Sequence, residues 1–461
     1  MVFSVAKAWR AAITPDEART YLDLVSQPFA RMLDGYDANH HVLNSLLCWV
    51  SVRLFGVSEF ALRIPALLGG LLYLAVACRL SRRLVGTGWF FLVSVALLVT
   101  NPLIVDNISL ARGYGMGLAF MLLVLDWMME AVAEALPRGW TLNRIAIAAA
   151  LAVASNLVYL FPCVGMLALF GATQCFNRQR TFDVVEQLLL PAVLVDFILL
   201  VIPFSHASPG SFYVGSGSLP YALETLINLS LRRAGLAPGP LDRSVAQACF
   251  GVAMAILLAA LAFCVAGLIR WIKARRFHLL PQMDQFRFLA GGGMWLALLG
   301  MVAAHYGAGM PYPWGRTGLY WIPLLTLFSL ALLKWRGRWR AIAVPGLSLG
   351  CLCLVQYARG FNLEAYGEWK SDSGILRVAR EIRRVQPPNA KVRIRAGGGL
   401  YQSLNFYRDK YHWSDWDRAW GLPADGEADF RVFEPWEADL VSKRGLTRLY
   451  TDPQTGLVLA R

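Results

Sequence analysis

Charge is scarce in this 461-residue chain: 16% of residues are charged, 57% are apolar, and the mean hydropathy is +0.47. That shortage excludes an ordinary soluble enzyme of this length, which needs far more polar surface, and makes the bilayer the solvent for most of the chain. Histidine is rare, with six residues, and no CxxC pair occurs among the eight cysteines. Cys48, Cys78, Cys163, Cys175, Cys249, Cys264, Cys351 and Cys353 all sit in apolar runs and read as small core residues, so no disulfide framework is indicated. A phosphate loop is missing too: "GGG" at 397–399 follows a strand-like run but lacks GxGxxG spacing and a following Lys-Ser/Thr, and reads as a plain turn. No internal repeat is found. The opening "MVFSVAKAWRAAI" is too short to span a membrane and lacks the apolar core of a cleavable signal, so a further helix ahead of it is expected.

What the chain does have is a series of long apolar runs. Ten are read as membrane spans: 64–80, 89–105, 112–134, 143–159, 161–176, 187–204, 246–270, 288–305, 318–334 and 340–357. The net charge of +14 is distributed unevenly between alternate loops. One set, with "RLSRR" (79–83), Arg138, Arg144, "NRQR" (177–180), "RWIKARR" (270–276), Arg287 and "KWRGRWR" (334–340), holds 16 Lys or Arg. The other holds five: Arg112, Arg232, Arg233, Arg243 and Arg316. The basic set is therefore cytoplasmic, and the excess charge records membrane topology instead of a nucleic-acid partner. Residues 11–62, 105–112, 205–245, 306–317 and everything after 357 then lie outside the cytoplasm.

Three parts follow. Residues 1–63 form a first outside loop, in which "VLNSLLCWVSVRLFG" (42–56) is too short to cross and suits a helix lying in the interface. Residues 64–357 form the helical bundle. Its outside loop 205–245 opens Ser/Gly-rich and continues into "YALETLINLSLRRAG", an amphipathic helix candidate with Arg232 and Arg233 near its end. Residues 358–461 read as a small α/β domain: Ile375, Val378, Ala379 and Ile382 recur at helical spacing, "KVRIRA" and "DFRVFEP" read as strands, and "TRLYTDPQTGLVLAR" as a hairpin.

The polar residues of the outer face carry the chemistry. In "ITPDEARTYLD", Thr14 at the N-cap, Pro15 at N1 and Glu17 at N3 make a capping box, and Asp16 complements the helix dipole. That local role accounts for Glu17 and leaves the face shared by Asp16, Thr20 and Asp23 unexplained. The loop "NPLIVDNISLARGYG" brings Asp106, Arg112 and Tyr114 to the same side, with Gly113, Gly115 and Gly117 lowering the bulk around the arginine. "GMPYPWGRTGLYWIP" places Arg316 among Tyr312, Trp314, Tyr320 and Trp321; an aromatic belt needs no arginine, whereas a phosphate at headgroup level does. "NHHVL" adds His40 and His41, whose adjacency makes a shared zinc ion unfavourable. Asp196, deep in its apolar run, is a separate functional candidate.

Carboxylates, guanidiniums and aromatics above an apolar groove are what sugar transfer from a lipid-linked phosphate requires: a base for the acceptor hydroxyl and cations for the departing phosphate. The stretches "PDEARTYLD", "NHHVLNSLL", "RLFGVSEFALRIPALLGGLLYL", "ARGYGMGLAF" and "PYPWGRTGLYWIPLL" resemble the GT-C glycosyltransferases. More narrowly they resemble the bacterial family related to dolichyl-phosphate-mannose protein mannosyltransferases and aminoarabinose transferases (glycosyltransferase family 39-like). The resemblance covers about residues 1–357, and "WKSD" (369–372) and "SLNFYR" (403–408) look like the tail domain of some members. The chain departs from the pattern in three places: only about 15 residues precede the Asp-Glu pair, Val42 follows His41 where many relatives have proline, and "RTGLY" replaces a late "RY".

The resemblance implies that the catalytic acid falls on Asp16 with Glu17 beside it, and that Arg112 and Arg316 hold the lipid phosphate. The reading is then a mainly α, GT-C-like polytopic protein of the cytoplasmic membrane, with its active site and tail domain outside. Its catalytic candidates are Asp16, Glu17 and Asp106, with Asp106 assisting. Its substrate-binding candidates are Arg112, Tyr114, Arg316, His41 and Tyr320. The expected partners are a polyprenyl-phosphate sugar, the bilayer and an acceptor hydroxyl on a protein, lipid or glycan. No cofactor is expected, and a divalent metal is not favoured. The rival readings are a proton-coupled transporter or flippase using Asp196 and a membrane scaffold presenting the α/β domain.

Overall fold

A computed structural model gives the fold for residues 1–134, 137–177, 181–208, 211, 215–231, 240–274, 276–334, 340–388, 390–421 and 427–461. Arg232, Arg233, the end of the "NRQR" run and most of "KWRGRWR" lie outside the described residues.

Among the described residues, eight helices are long and apolar enough to cross a membrane: Glu59–Val85, Tyr114–Ala131, Leu157–Phe176, Thr181–Ser205, Ser244–Ala274, Gln282–Ala308, Gly315–Leu333 and Ala341–Arg359. Two of the ten expected spans, 89–105 and 143–159, form shorter apolar helices. The run 89–105 is broken, because the Asn101 side chain accepts from the Leu103 N–H (2.9 Å) and caps a new helix that Pro102 begins. The pieces, Trp89–Val99 and Pro102–Asn107, are about 17 and 9 Å long against a hydrocarbon core of roughly 30 Å. The run 143–159 forms Gly139–Ser155, about 26 Å long, packed between Tyr114–Ala131 and Thr181–Ser205.

The first loop folds as short helices: Val2–Arg10, Pro15–Thr20 running into a π-turn at Tyr21–Val25, Phe29–Met32 and Val42–Phe55. Val42–Phe55 leaves Leu47, Val50, Leu54 and Phe55 exposed, and Val2–Arg10 exposes Val2, Phe3, Val5 and Trp9, as helices lying on a lipid surface do. In the loop after Ser205, the amphipathic stretch forms the helix Leu219–Leu231, which buries Ala222, Leu223 and Leu226.

The tail carries a five-stranded sheet of β1 (Ile394–Ala396), β2 (Trp420–Gly421), β3 (Phe430–Phe433), β4 (Arg448–Thr451) and β5 (Val458–Ala460), in the order β2-β1-β3-β5-β4. β1 runs parallel to β2 and β3, and β3-β5-β4 is antiparallel, with Ile394 opposite Phe430 and Val432 opposite Leu459. The helix Ile375–Val385 buries Ile375, Val378, Ala379 and Ile382, the four residues at helical spacing. Each large aliphatic among them contributes about 1.5–3 kcal/mol by leaving water.

The first loop and the tail share one apolar core. Ile13, Ala18, Tyr21 and Val25 pack with Leu404, Phe406, Ile394 and Phe430, all buried. Tyr21 meets Phe406 edge-on at 5.2 Å, and the Ile13 N–H donates to the Tyr407 hydroxyl at 3.1 Å. The plain turn expected at 397–399 is present, and Gly399 abuts Pro15: a Cβ there would lie 2.5 Å from the proline ring. The tail therefore rests directly on the helix that bears Asp16 and Glu17.

Candidate active site

That helix begins as its sequence requires. Thr14 Oγ1 accepts from the Glu17 N–H at 3.3 Å, and the Thr14 N–H donates to Glu17 Oε2 at 3.1 Å. Glu17 does more than cap. It is fully buried and accepts from Arg63 Nε (2.9 Å) and Nη2 (2.6 Å) and from the Ala111 N–H (3.0 Å). Arg63, also fully buried, donates on to the carbonyls of Ala8 (3.0 Å), Ala11 (2.7 Å) and Ala12 (2.8 Å). Burial pushes the Glu17 carboxyl up, and Arg63 with the two backbone N–H donors outweighs it, so the group stays ionised. With every oxygen engaged, Glu17 is a pivot that ties the first loop to the span Glu59–Val85.

Asp16, one residue earlier, faces another way. Its Oδ2 accepts from Arg316 Nη2 at 2.6 Å and lies 3.4 Å from Arg112 Nη2, and 29% of its side chain is exposed. Burial alone would raise its carboxyl, but Arg112, Arg316 and Arg19 together hold it below the ordinary carboxylate range. Arg112 also donates to Asn39 Oδ1, and Asn39 Nδ2 donates to Thr20 Oγ1 at 3.1 Å, so the face noted at Asp16 and Thr20 is one side of a hydrogen-bonded frame. Asp23 has left that frame and pairs with Arg19 at 3.3 Å in solvent.

Arg316 leaves the 3-10 turn Gly315–Gly318, donates from Nη1 to Glu368 Oε1 at 3.0 Å, and lies 4.7 Å over the Trp369 ring. The Tyr114 side chain reaches the same guanidinium. His41 meets the Tyr114 ring edge-on at 5.2 Å, and burial with the nearby Arg112, His40 and Arg316 keeps its imidazole neutral. Arg112 Nε, Arg316 Nε and His41 Nε2 are buried without a hydrogen-bond partner, so donor capacity is left over at the centre of the cluster. Five of the eight residues singled out from sequence, Asp16, Arg112, Tyr114, Arg316 and His41, meet here.

The other three do not. Asp106 is occupied on both oxygens, by Lys7 Nζ at 2.6 Å and the Gly367 N–H at 2.8 Å, and it lines a neighbouring cavity. Tyr320 is fully buried in the bundle, its hydroxyl 3.1 Å from the Met301 sulfur, and it stands apart from this cluster. The glycines after Arg112 also serve the fold itself. Gly113 has φ +69 and passes where a Cβ would stand 2.1 Å from the Ser155 carbonyl oxygen, while Gly115 and Gly117 abut Asn107, Ile108 and Tyr159. Asp196 lies on Thr181–Ser205, a span buried over little of its length, with its Oδ1 unpartnered.

Several members of the site were missed. Glu368, Trp369, Asp372 and Glu434 reach it from segments far along the chain, and Lys7 joins the neighbouring Asp106. Asp372 and Glu434, both buried, lie close enough to each other and to Asp16 for their charges to interact. Burial and the charges of Asp372 and Glu437 push Glu434 up to about 8; burial, opposed by the Ser371 hydrogen bond, raises Asp372 to about 6. "WKSD" was the one available signal for Trp369 and Asp372. Among the described residues, no group of three or more His, Cys, Asp or Glu is arranged to hold a metal ion.

No family model and no curated protein matches this chain. Its fold is similar to that of ArnT from Cupriavidus metallidurans in the apo state, at 17% identity and a TM-score of 0.47, over 100% of this chain and 95% of that one. It is likewise similar to the same protein bound to undecaprenyl phosphate, at 15% identity and a TM-score of 0.47, with the same coverage. The architecture itself, a bundle of long apolar helices followed by a small α/β tail, is the one expected from the sequence.

Proposed function

We propose that this protein moves a sugar from a polyprenyl-phosphate carrier to an acceptor hydroxyl, at the outer face of the cytoplasmic membrane. The observation that carries the reading is Asp16, a partly exposed carboxylate held between two guanidiniums and linked through Arg316 and Glu368 to a cavity walled in part by Phe3, Leu103, Tyr357 and Phe361. Asp16 takes the acceptor proton as the acceptor oxygen attacks the anomeric carbon. The bond from that carbon to the phosphate oxygen breaks, and the lipid phosphate leaves with the electron pair. Arg316 and Arg112 hold the charge that develops on it. The placement of the site and tail domain outside the cytoplasm rests on the loop charges. Tyr114 and His41 serve as walls for the donor sugar.

The test is incubation of the purified protein with a panel of radiolabelled polyprenyl-phosphate sugars and an envelope extract as acceptor. The expected result is free lipid phosphate and labelled acceptor from one donor class. Failure of every donor, with label instead crossing the bilayer in proteoliposomes and lost in Asp196→Asn, would favour a carrier.

A further inference from the structure

Between the last membrane helix and the tail domain, residues 366–369 run as a strap across the site. Tyr366 is buried, with its ring 4.8 Å from Lys7 Nζ and 5.1 Å from the Arg63 guanidinium. The Gly367 N–H is held by Asp106, Glu368 by Arg316, and Trp369 lies beneath Arg316. Against the strap sits a cavity of about 60 Å³. Its walls include Phe3, Leu103, Tyr357 and Phe361, and its polar end is Lys7, Asp106 and Glu368.

Charge balances across this region. Lys7 is neutralised by Asp106, and Arg316 by Asp16 and Glu368. A phosphate anion entering from the apolar side meets cations already claimed by carboxylates of the protein, and must take them over or go unpaired. The strap's grip is incomplete: Glu368 Oε2 and Arg316 Nε are buried without partners, so their ion pair uses one oxygen and leaves a guanidinium donor over. A phosphate, with more acceptor oxygens, uses a guanidinium more fully.

We propose that Glu368 is a built-in competitor for a phosphate anion: it holds Arg316 until the phosphate displaces it, with Asp106 doing the same for Lys7. This rests on the transferase reading and adds a coupling to it. As Arg316 turns to the phosphate, Asp16 loses its closest cation and becomes a stronger base, so the base is activated only when donor is present. Glu368 is thus a positioning residue that acts through Arg316.

The test is direct binding of polyprenyl phosphate and, separately, of inorganic phosphate to the full-length protein in detergent. Glu368→Gln is expected to bind polyprenyl phosphate roughly ten-fold more tightly than the wild type, since a charged competitor is gone. The inorganic anion shifts the same way from a much weaker start. A merely structural Glu368 predicts unchanged or weaker binding in both arms, and that result overturns the proposal. Asp106→Asn carries the same test through Lys7 should Glu368→Gln fail to accumulate, and Glu364→Gln in the same connection is the unchanged control. If only inorganic phosphate binds and its affinity still rises, the competitor stands and the lipid-donor reading falls.

Discussion

Asp16 and Glu17 are adjacent on one short helix, both are acidic, and both meet arginine, yet the fold uses them in opposite ways. Glu17 is fully buried, and its partners Arg63, Thr14 and Ala111 engage both carboxylate oxygens. Asp16 is 29% exposed, is held by two arginines from distant segments, and sits where guanidinium donors are left over. A saturated ion pair has nothing left to offer a ligand; an unsaturated, partly exposed one does. The helical offset of about 100° per residue sends one acid inward and the other to the opening.

The largest effect on stability is expected from the inward pair. Arg63→Met or Glu17→Gln leaves a buried charge unpaired and should cost about 3–5 kcal/mol, read as a large fall in melting temperature and in folded yield. A fully stable but inactive Glu17→Gln would erase the contrast and return Glu17 to the catalytic group. On the outer side, Arg316→Gln should leave the fold intact and lower transfer by roughly 100- to 1000-fold, the range seen when one charge-stabilising donor is lost.

A smaller effect concerns pH. Glu434 has a raised pKa in the folded state, so the native protein binds more protons than the unfolded chain above the ordinary carboxylate range. Its contribution is therefore present at low pH and lost as pH rises through about 8. Melting temperature measured across that window should fall more for the wild type than for Glu434→Gln, and parallel curves would remove the carboxyl pair from the account. The smallest effect is expected at Tyr320: Tyr320→Phe loses a single weak hydrogen bond to Met301, so stability should change by less than about 1 kcal/mol with transfer untouched. A large loss of transfer would restore Tyr320 to the site.

Local chemistry was legible in the sequence. The capping box at Thr14–Glu17, the buried stripe of Ile375–Val385, and the β4–β5 hairpin all depend on neighbours within a few residues, and each was found where the pattern placed it. The joining of Arg112 and Arg316 to Asp16 was inferred from the side of the membrane they share. Lys7 and Glu368 were not found, because their roles depend on contacts across 99 and 52 residues that no local pattern encodes. The run 89–105 was read as one unbroken helix for a related reason: a hydropathy window averages over Asn101–Pro102, whereas the backbone stops at a cap. The glycines after Arg112 were read as lowering the bulk around the arginine, and the fold spends that room on helix packing.

The decisive measurement is sugar transfer by purified Asp16→Asn set beside its melting curve and its binding of polyprenyl phosphate. The account predicts a folded protein, phosphate binding at least as tight as the wild type because Arg316 loses a competing carboxylate, and a loss of transfer of at least about 100-fold because the proton acceptor has gone. An Asp16→Asn protein that transfers sugar at near the wild-type rate would contradict it.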